Sequence, residues 1–341
     1  MKFSLNQKTQ LFGLLLLLMF QFSCESGTEV DSTSTTGDWT EMSDFEGNTR
    51  SNAVSFVIGN KAFVGTGYNG STDEYLQDFW YYNLDLNYWV RVADFPGEAR
   101  SSAVAFAIND KGYVGTGSNG SGQLSDFWEY DPATNTWTQK ADFGGTARRG
   151  AVGFGIADKG YVGTGYDGSN TKDFWQYDPI IDTWTQVPSL GGSKRRNAVA
   201  FVIAGKAYVG TGTNNGVYQY DFWEFDPAKL TSEEFPWTAK TDLDEDDAYT
   251  AVGRESSVAF TIGSYGYITT GYTNAIVSTT WQYDPLNDTW NEMTSFEGAS
   301  RMDAVGFSIM DRGFITTGRN SSTYFDDIWE FRPDLTYDEN N

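Results

Sequence analysis

Histidine is absent from this 341-residue chain and cysteine occurs once. The residues left to do chemistry are arginines, carboxylates and tyrosines. Without histidine there is no Ser-His-Asp or Cys-His pair and no imidazole metal site. Six arginines stand out by their spacing: Arg50, Arg100, Arg148, Arg195, Arg254 and Arg301, each three residues before a small residue followed by Val. Downstream, Asp78, Asp126, Asp173, Asp221 and Asp327 open a DFW-type triplet, and only the fifth copy carries Thr279 instead. Guanidinium and carboxylate recurring together can hold a charged ligand, or can pair with each other and hold the scaffold. Arg254, lacking an Asp, is then expected to be the free member. Two carboxylates could also serve glycoside chemistry, but among 46 acidic residues no pair stands out. Asp242, Asp244, Glu245, Asp246 and Asp247 form a cluster that could ligate calcium, yet the glycine and final glutamate of an EF-hand loop are missing. A solvated acidic loop is expected there, and no metal or cofactor.

The elements that position these residues follow from a repeat. Each of the six arginines lies 17 residues before a glycine closing a GTG or TTG triplet: Gly67, Gly117, Gly165, Gly212, Gly271 and Gly318. A tryptophan of the DFW-type stretch follows, then a second tryptophan. Each unit reads as four short strands, exemplified by AVAFAI, GYVGTG, DFWEYD and TWTQK. They are rich in Val, Tyr, Phe, Trp and Thr and separated by NDK, NGS and DPATN turns. Four strands in a unit of this length make a β-propeller blade, which must stack on others to bury both faces. All 12 tryptophans are repeat positions, two per unit, provided Trp39 serves the sixth copy, which has no second tryptophan of its own. The strand Asp38 to Met42 is therefore expected to supply the outer strand of the last blade and latch the ring. An open arc would leave an aromatic edge strand unpaired.

These residues resemble the Kelch family, over residues 38–333. The family has a glycine pair ending the second strand, then a Tyr and a Trp at set spacing; the pair is replaced here by GTG or TTG, and the added DFW is a variant. The competing WD40 signature needs Gly-His and Trp-Asp, which the chain lacks. The resemblance implies an all-β, six-bladed Kelch-like β-propeller. Its first strands line a central channel, and the six arginines sit near the channel mouth. Because some Kelch proteins use such arginines on acidic peptides, it also implies anion binding, whereas repetition in every blade argues for a structural role. Loops joining second and third strands share that face and differ most between copies. They offer Tyr75, Tyr166, Tyr218, Tyr220, Tyr272 and Tyr324 amid Asn, Ser and Gly, a mixture suited to protein or carbohydrate contact.

The N-terminus reads as an export signal. Lys2 and Lys8 precede the apolar run Leu11 to Phe20, too short for a permanent membrane span. Ser23-Cys24 then resembles the lipoprotein signal of bacteria, which implies acylation of Cys24. The expected organisation is 1–23 signal peptide, 24–37 flexible tether, 38–333 propeller and 334–341 polar tail. Asp31-Ser32-Thr33 resembles a short glycosylation sequon of Bacteroidetes. The formal net charge of −23 disfavours nucleic acid and anionic bilayers as partners. The expectation is a non-catalytic module of the bacterial envelope, lipid-anchored in the outer membrane, binding a protein or glycan. The alternative is a carbohydrate-active enzyme of lyase or mutarotase type, using Arg and carboxylates at the mouth.

Overall fold

The computed structural model describes residues 35–232, 234–243 and 252–338. The signal segment, Cys24, nearly all of the tether, the acidic residues Asp244 to Asp247 and the last three residues lie outside them. The described chain forms six four-stranded antiparallel sheets. The first blade runs Val54–Ile58, Lys61–Gly65, Phe79–Asn83 and Tyr88–Val92. The next four repeat that order. In the last blade Val305–Ile309, Arg312–Thr316 and Ile328–Arg332 are completed by Asp38–Glu41. The pairing is antiparallel, Asp38 opposite Arg332 and Glu41 opposite Trp329, and Met42 N donates to Ile328 O at 2.9 Å. The expected latch is thus present, and Trp39 within it is fully buried.

Each first strand alternates buried and half-buried residues because one side packs inside the blade stack and the other lines the channel. The second strands are buried on both sides. They end before the Thr-Gly pair rather than running through it, because both residues are left-handed, for example Thr116 at φ 60° and Gly117 at φ 94°. A β-branched residue is costly there. It is held by its carbonyl, which accepts from the blade's repeat arginine, Arg100 Nη1 to Thr116 O at 2.9 Å. Glycine is required next to it: a Cβ on Gly117 would lie 2.8 Å from Ser101 O.

Seams between blades are aromatic. The phenylalanine of one first strand fills the space left by a glycine in the next blade's second strand, where a Cβ on Gly112 would lie 2.2 Å from the Phe56 ring. The fourth-strand tryptophan wedges into the preceding blade: Trp137 packs 5.0 Å from Phe79 and 5.3 Å from Phe95. Trp39 does the same 5.0 Å from Phe296, and Trp89 meets Phe45 at 4.7 Å.

Two hoops of backbone hydrogen bonds also run round the ring. Each triplet glycine donates to the repeat arginine carbonyl of the following blade, ending with Gly318 N to Arg50 O at 2.8 Å. Nearer the mouth, Asn52, Ser102, Gly150, Asn197, Ser256 and Asp303 each donate to the carbonyl of the preceding member, and Asn52 N to Asp303 O closes that hoop at 2.8 Å. All six of these residues are left-handed. In the fourth blade the connection from third to fourth strand carries a short 3-10 turn, Pro227–Thr231, capped by Asp226.

Candidate functional site

The six repeat arginines do not form a ring open to the channel, which corrects the expectation that they are available as ligand residues. All are 0–1% exposed. An arginine can be buried only if its donors are satisfied, and here they are. Arg100 donates to both oxygens of Asp126 at 2.6 and 2.7 Å, to Glu98 O at 2.9 Å and to Thr116 O, and lies 4.7 Å over the Phe95 ring. Trp128 Nε1 completes the group on Asp126 at 2.7 Å. The same Arg-Asp-Trp arrangement recurs at Asp78, Asp173, Asp221 and Asp327. Burial alone would raise the Asp126 carboxyl, but hydrogen bonds and charge from Arg100 outweigh it and hold it below the ordinary range. Nor is Arg254 free: it is fully buried and donates to Val252 O, Thr270 O, Thr279 O and Thr279 Oγ1. Burial lowers its pKa.

The residue after each repeat arginine is what reaches the mouth. In chain order these are Ser51, Ser101, Arg149, Arg196, Glu255 and Met302, each bridged to the residue after the glycine triplet: Tyr68, Ser118, Tyr166, Thr213, Tyr272 and Arg319. These positions carry side chains of unlike chemistry on a uniform backbone at one channel end, with Ser51 and Thr213 buried and the others at least partly exposed. A cavity of about 350 Å³ opens there, with Arg149, Arg196, Asn197, Glu255, Tyr272 and Arg319 in its wall. Arg149 and Arg196 lean on the same ring, 5.5 and 5.3 Å from the Tyr166 centroid. Neither has an ion-pair partner among the described residues. By contrast, Arg319 is paired with Asp303 at 3.0 Å. Asn197 Nδ2 donates to Glu255 Oε2 at 3.1 Å.

The expected tyrosines divide. Tyr166 and Tyr272 sit at the mouth. Tyr75 packs 5.1 Å from Tyr68, which is 6.3 Å from Tyr324, so these three make an aromatic rim between the first and last blades. Tyr75 also borders an outer hollow of about 540 Å³ beside Trp80 and Arg91. Tyr218 accepts from Asn274 N at 2.9 Å and ties two loops together. Tyr220 packs on the core beside Leu243 and Val252 and is a structural residue, a second correction. Arg149, Arg196, Arg319 and Glu255 were not singled out from the sequence. Their signal was the variation Ser, Ser, Arg, Arg, Glu, Met directly after an invariant arginine. Among the described residues no group of three or more acidic or sulfur ligands is placed to hold a metal ion.

A ring of six such blades, sealed by its own N-terminal strand, is a six-bladed Kelch-like β-propeller. The family description "KLHDC2/KLHL20/DRC7 Kelch-repeats domain" matches residues 28–194. The chain is similar to the solved structure described as "Structure of YjhT", with TM-score 0.70 and 14% identity, covering 84% of this chain and 95% of that one. At that identity the likeness shows the fold alone. No curated protein sequence matches the chain.

Proposed function

We propose that this propeller is a non-catalytic binding module that receives a carboxylate-bearing protein or glycan at its channel mouth. The observation that carries the reading is the pair Arg149 and Arg196, both aimed around Tyr166 without an ionic partner among the described residues. In a chain of net charge −23 two such cations would be neutralised at once if nothing else needed them. The aromatic face between them suits a sugar ring or peptide plane. Each charge-assisted hydrogen bond to a carboxylate contributes about 1.5–3 kcal/mol. Acidic peptides and uronic or sialic acid glycans should therefore bind, and Arg149→Ala or Arg196→Ala should each weaken binding by about tenfold or more. Equal affinity in the double variant removes this site from consideration.

A second reading is a carbohydrate-active enzyme, favoured by Glu255 and Asp303 sharing the cavity with the arginines. Its mark is turnover of an acidic sugar that is lost in Glu255→Gln. Binding without turnover leaves the first reading.

The cellular placement is part of the proposal. The apolar run Leu11 to Phe20 followed by Ser23-Cys24 supports export and acylation of Cys24, with residues 24–37 as tether and the outer membrane of a bacterium as destination. Mass measurement of the mature N-terminus tests it: an acylated Cys24 is expected, and an unmodified thiol contradicts it. The partner is then an envelope protein or glycan, the bilayer is met through the lipid, and nucleic acid is not a partner.

A further inference from the structure

We infer that the end of the propeller opposite the mouth lies on a lipid bilayer, with its apolar turn tips in the headgroup region. The inference rests on the proposed anchor at Cys24 for its setting, but on the described surface for its content.

Large apolar side chains are distributed unevenly between the two ends. Leu86, Ile180, Ile181 and Leu286 occupy the turns between third and fourth strands of the first, third and fifth blades, exposed at 61, 78, 65 and 88%. Phe235 sits in the corresponding connection of the fourth blade at 52%, and Met310 in the turn between first and second strands of the last blade at 68%. Antiparallel order puts both kinds of turn at the end away from the mouth. Among the described residues this exposed, only Val217, at 64%, stands on a mouth loop. Leu286 and its equivalents have no packing role that explains them, since the blade core is closed by Trp290, Trp184 and their counterparts. Single exposed apolar residues need no account, but six at one end do.

What covers them follows from where the chain leaves the propeller. Asp38 pairs with Arg332 as Thr136 pairs with Asp131 in the second blade. Gly37 and Thr36 therefore stand where the other blades have their turn residues. The backbone contact confirms the equivalence: Thr294 N donates to Thr36 O at 2.9 Å, where Ala93 N donates to the side chain of the turn residue Asn135 at 2.8 Å. The segment leading back to Cys24 thus departs from the same end as Leu86, Ile181 and Leu286. Eleven residues separate Cys24 from Thr36, a stretch whose reach cannot exceed about 40 Å. An anchor at Cys24 would hold these tips beside the bilayer at high effective concentration, so weak insertion at each suffices.

Three strand-start cations at this end are paired across the sheet, Lys111 with Asp131 at 2.5 Å, Lys206 with Glu224 at 2.7 Å and Lys159 with Asp178 at 3.4 Å. The exposed carboxylates Asp85, Asp110, Asp158 and Asp311 share these turns, which limits the contact to the hydrated headgroup layer. Among the described residues no basic patch at this end selects anionic lipid, and with a net charge of −23 the fitting surface is a zwitterionic one. The mouth, with Arg149 and Arg196, then faces away from the membrane toward incoming ligand.

The experiment couples the processed chain through its single thiol, Cys24, to maleimide-bearing phosphatidylcholine vesicles and applies hydroxyl-radical footprinting. Coupling is chemical, so the result does not depend on whether cells acylate Cys24. That is read separately from the mass of the native N-terminus. Several-fold protection of Met310, Leu286, Phe235 and Ile180, with Val217 unchanged, is expected. Replacing Ile180, Ile181 and Leu286 by Ser should abolish protection at Met310 while the melting curve stays in place. No protection, equal protection of Val217, or the same protection in concentrated protein without vesicles overturns the inference, the last in favour of a second copy of this chain.

Discussion

Arg148 and Arg149 are neighbours in the chain, as are Arg195 and Arg196, yet each pair is split between two regions of the molecule. The first of each pair is sealed in a blade seam against an aspartate and a threonine carbonyl, and Arg148 also lies over the Phe143 ring. The second stands at the mouth with only the Tyr166 ring for company among the described residues. The seam residue is the same in all six blades, whereas the mouth residue takes four identities across the six. The difference teaches how this scaffold separates its tasks: what repeats closes the ring, and what varies by one position faces a ligand.

The largest break in the seam should come from removing Asp38–Glu41. It strips Trp39 from its place against Phe296 and Phe331 and bares the edge of Ile328–Arg332. Loss of a cooperative melt, with aggregation, is expected in calorimetry. A tryptophan truncation in such a site costs about 3–5 kcal/mol on its own, so Trp39→Ala should reproduce much of the effect.

Arg148→Ala should follow, at about 3 kcal/mol in denaturant melts, because Asp173 would be left without its cation in a largely desolvated seam. Gly117→Ala is expected to cost less, on the order of 1–2 kcal/mol, from its left-handed φ and the clash with Ser101 O. If both variants melt with the intact protein, the seam residues do not hold the ring.

Acid probes the same layer. Asp78, Asp126, Asp173 and Asp221 are each pulled below the ordinary carboxylate range by their arginines despite burial. A lowered folded pKa contributes stability that is present above the unfolded value, about 3.9, and is lost as pH falls through the folded one. The melting temperature should therefore drop below about pH 4 and be flatter with pH in Asp126→Asn. At the mouth, Arg149→Ala should change stability by no more than about 0.5 kcal/mol. A large loss there would erase the distinction between the regions.

Much of the seam could be read from residue spacing, because repetition makes each side chain visible six times. The blade count, the latch by Asp38–Glu41 and the place of Trp39 all followed from where tryptophans recur. Burial of the arginines was harder to see. Spacing puts Arg100 and Asp126 at the same blade end, but not the depth at which they meet, which depends on the left-handed Thr116-Gly117 pair turning a carbonyl inward. Tyr220 is a loop residue whose ring packs on the core beside Leu243 and Val252, a contact that spacing does not reveal. Arg149 and Arg196 were hidden by adjacency to the repeat arginines, since one residue of shift in extended backbone reverses the face.

The most direct test sets Arg195→Ala beside Arg196→Ala, measuring the melting midpoint of each and the affinity of each for an acidic peptide or uronic acid probe under conditions where both are folded. The account predicts a lowered midpoint with retained binding for the first, and an unchanged midpoint with binding weakened about tenfold for the second. Equal melting of the two, or a greater loss of binding in Arg195→Ala than in Arg196→Ala, would contradict it.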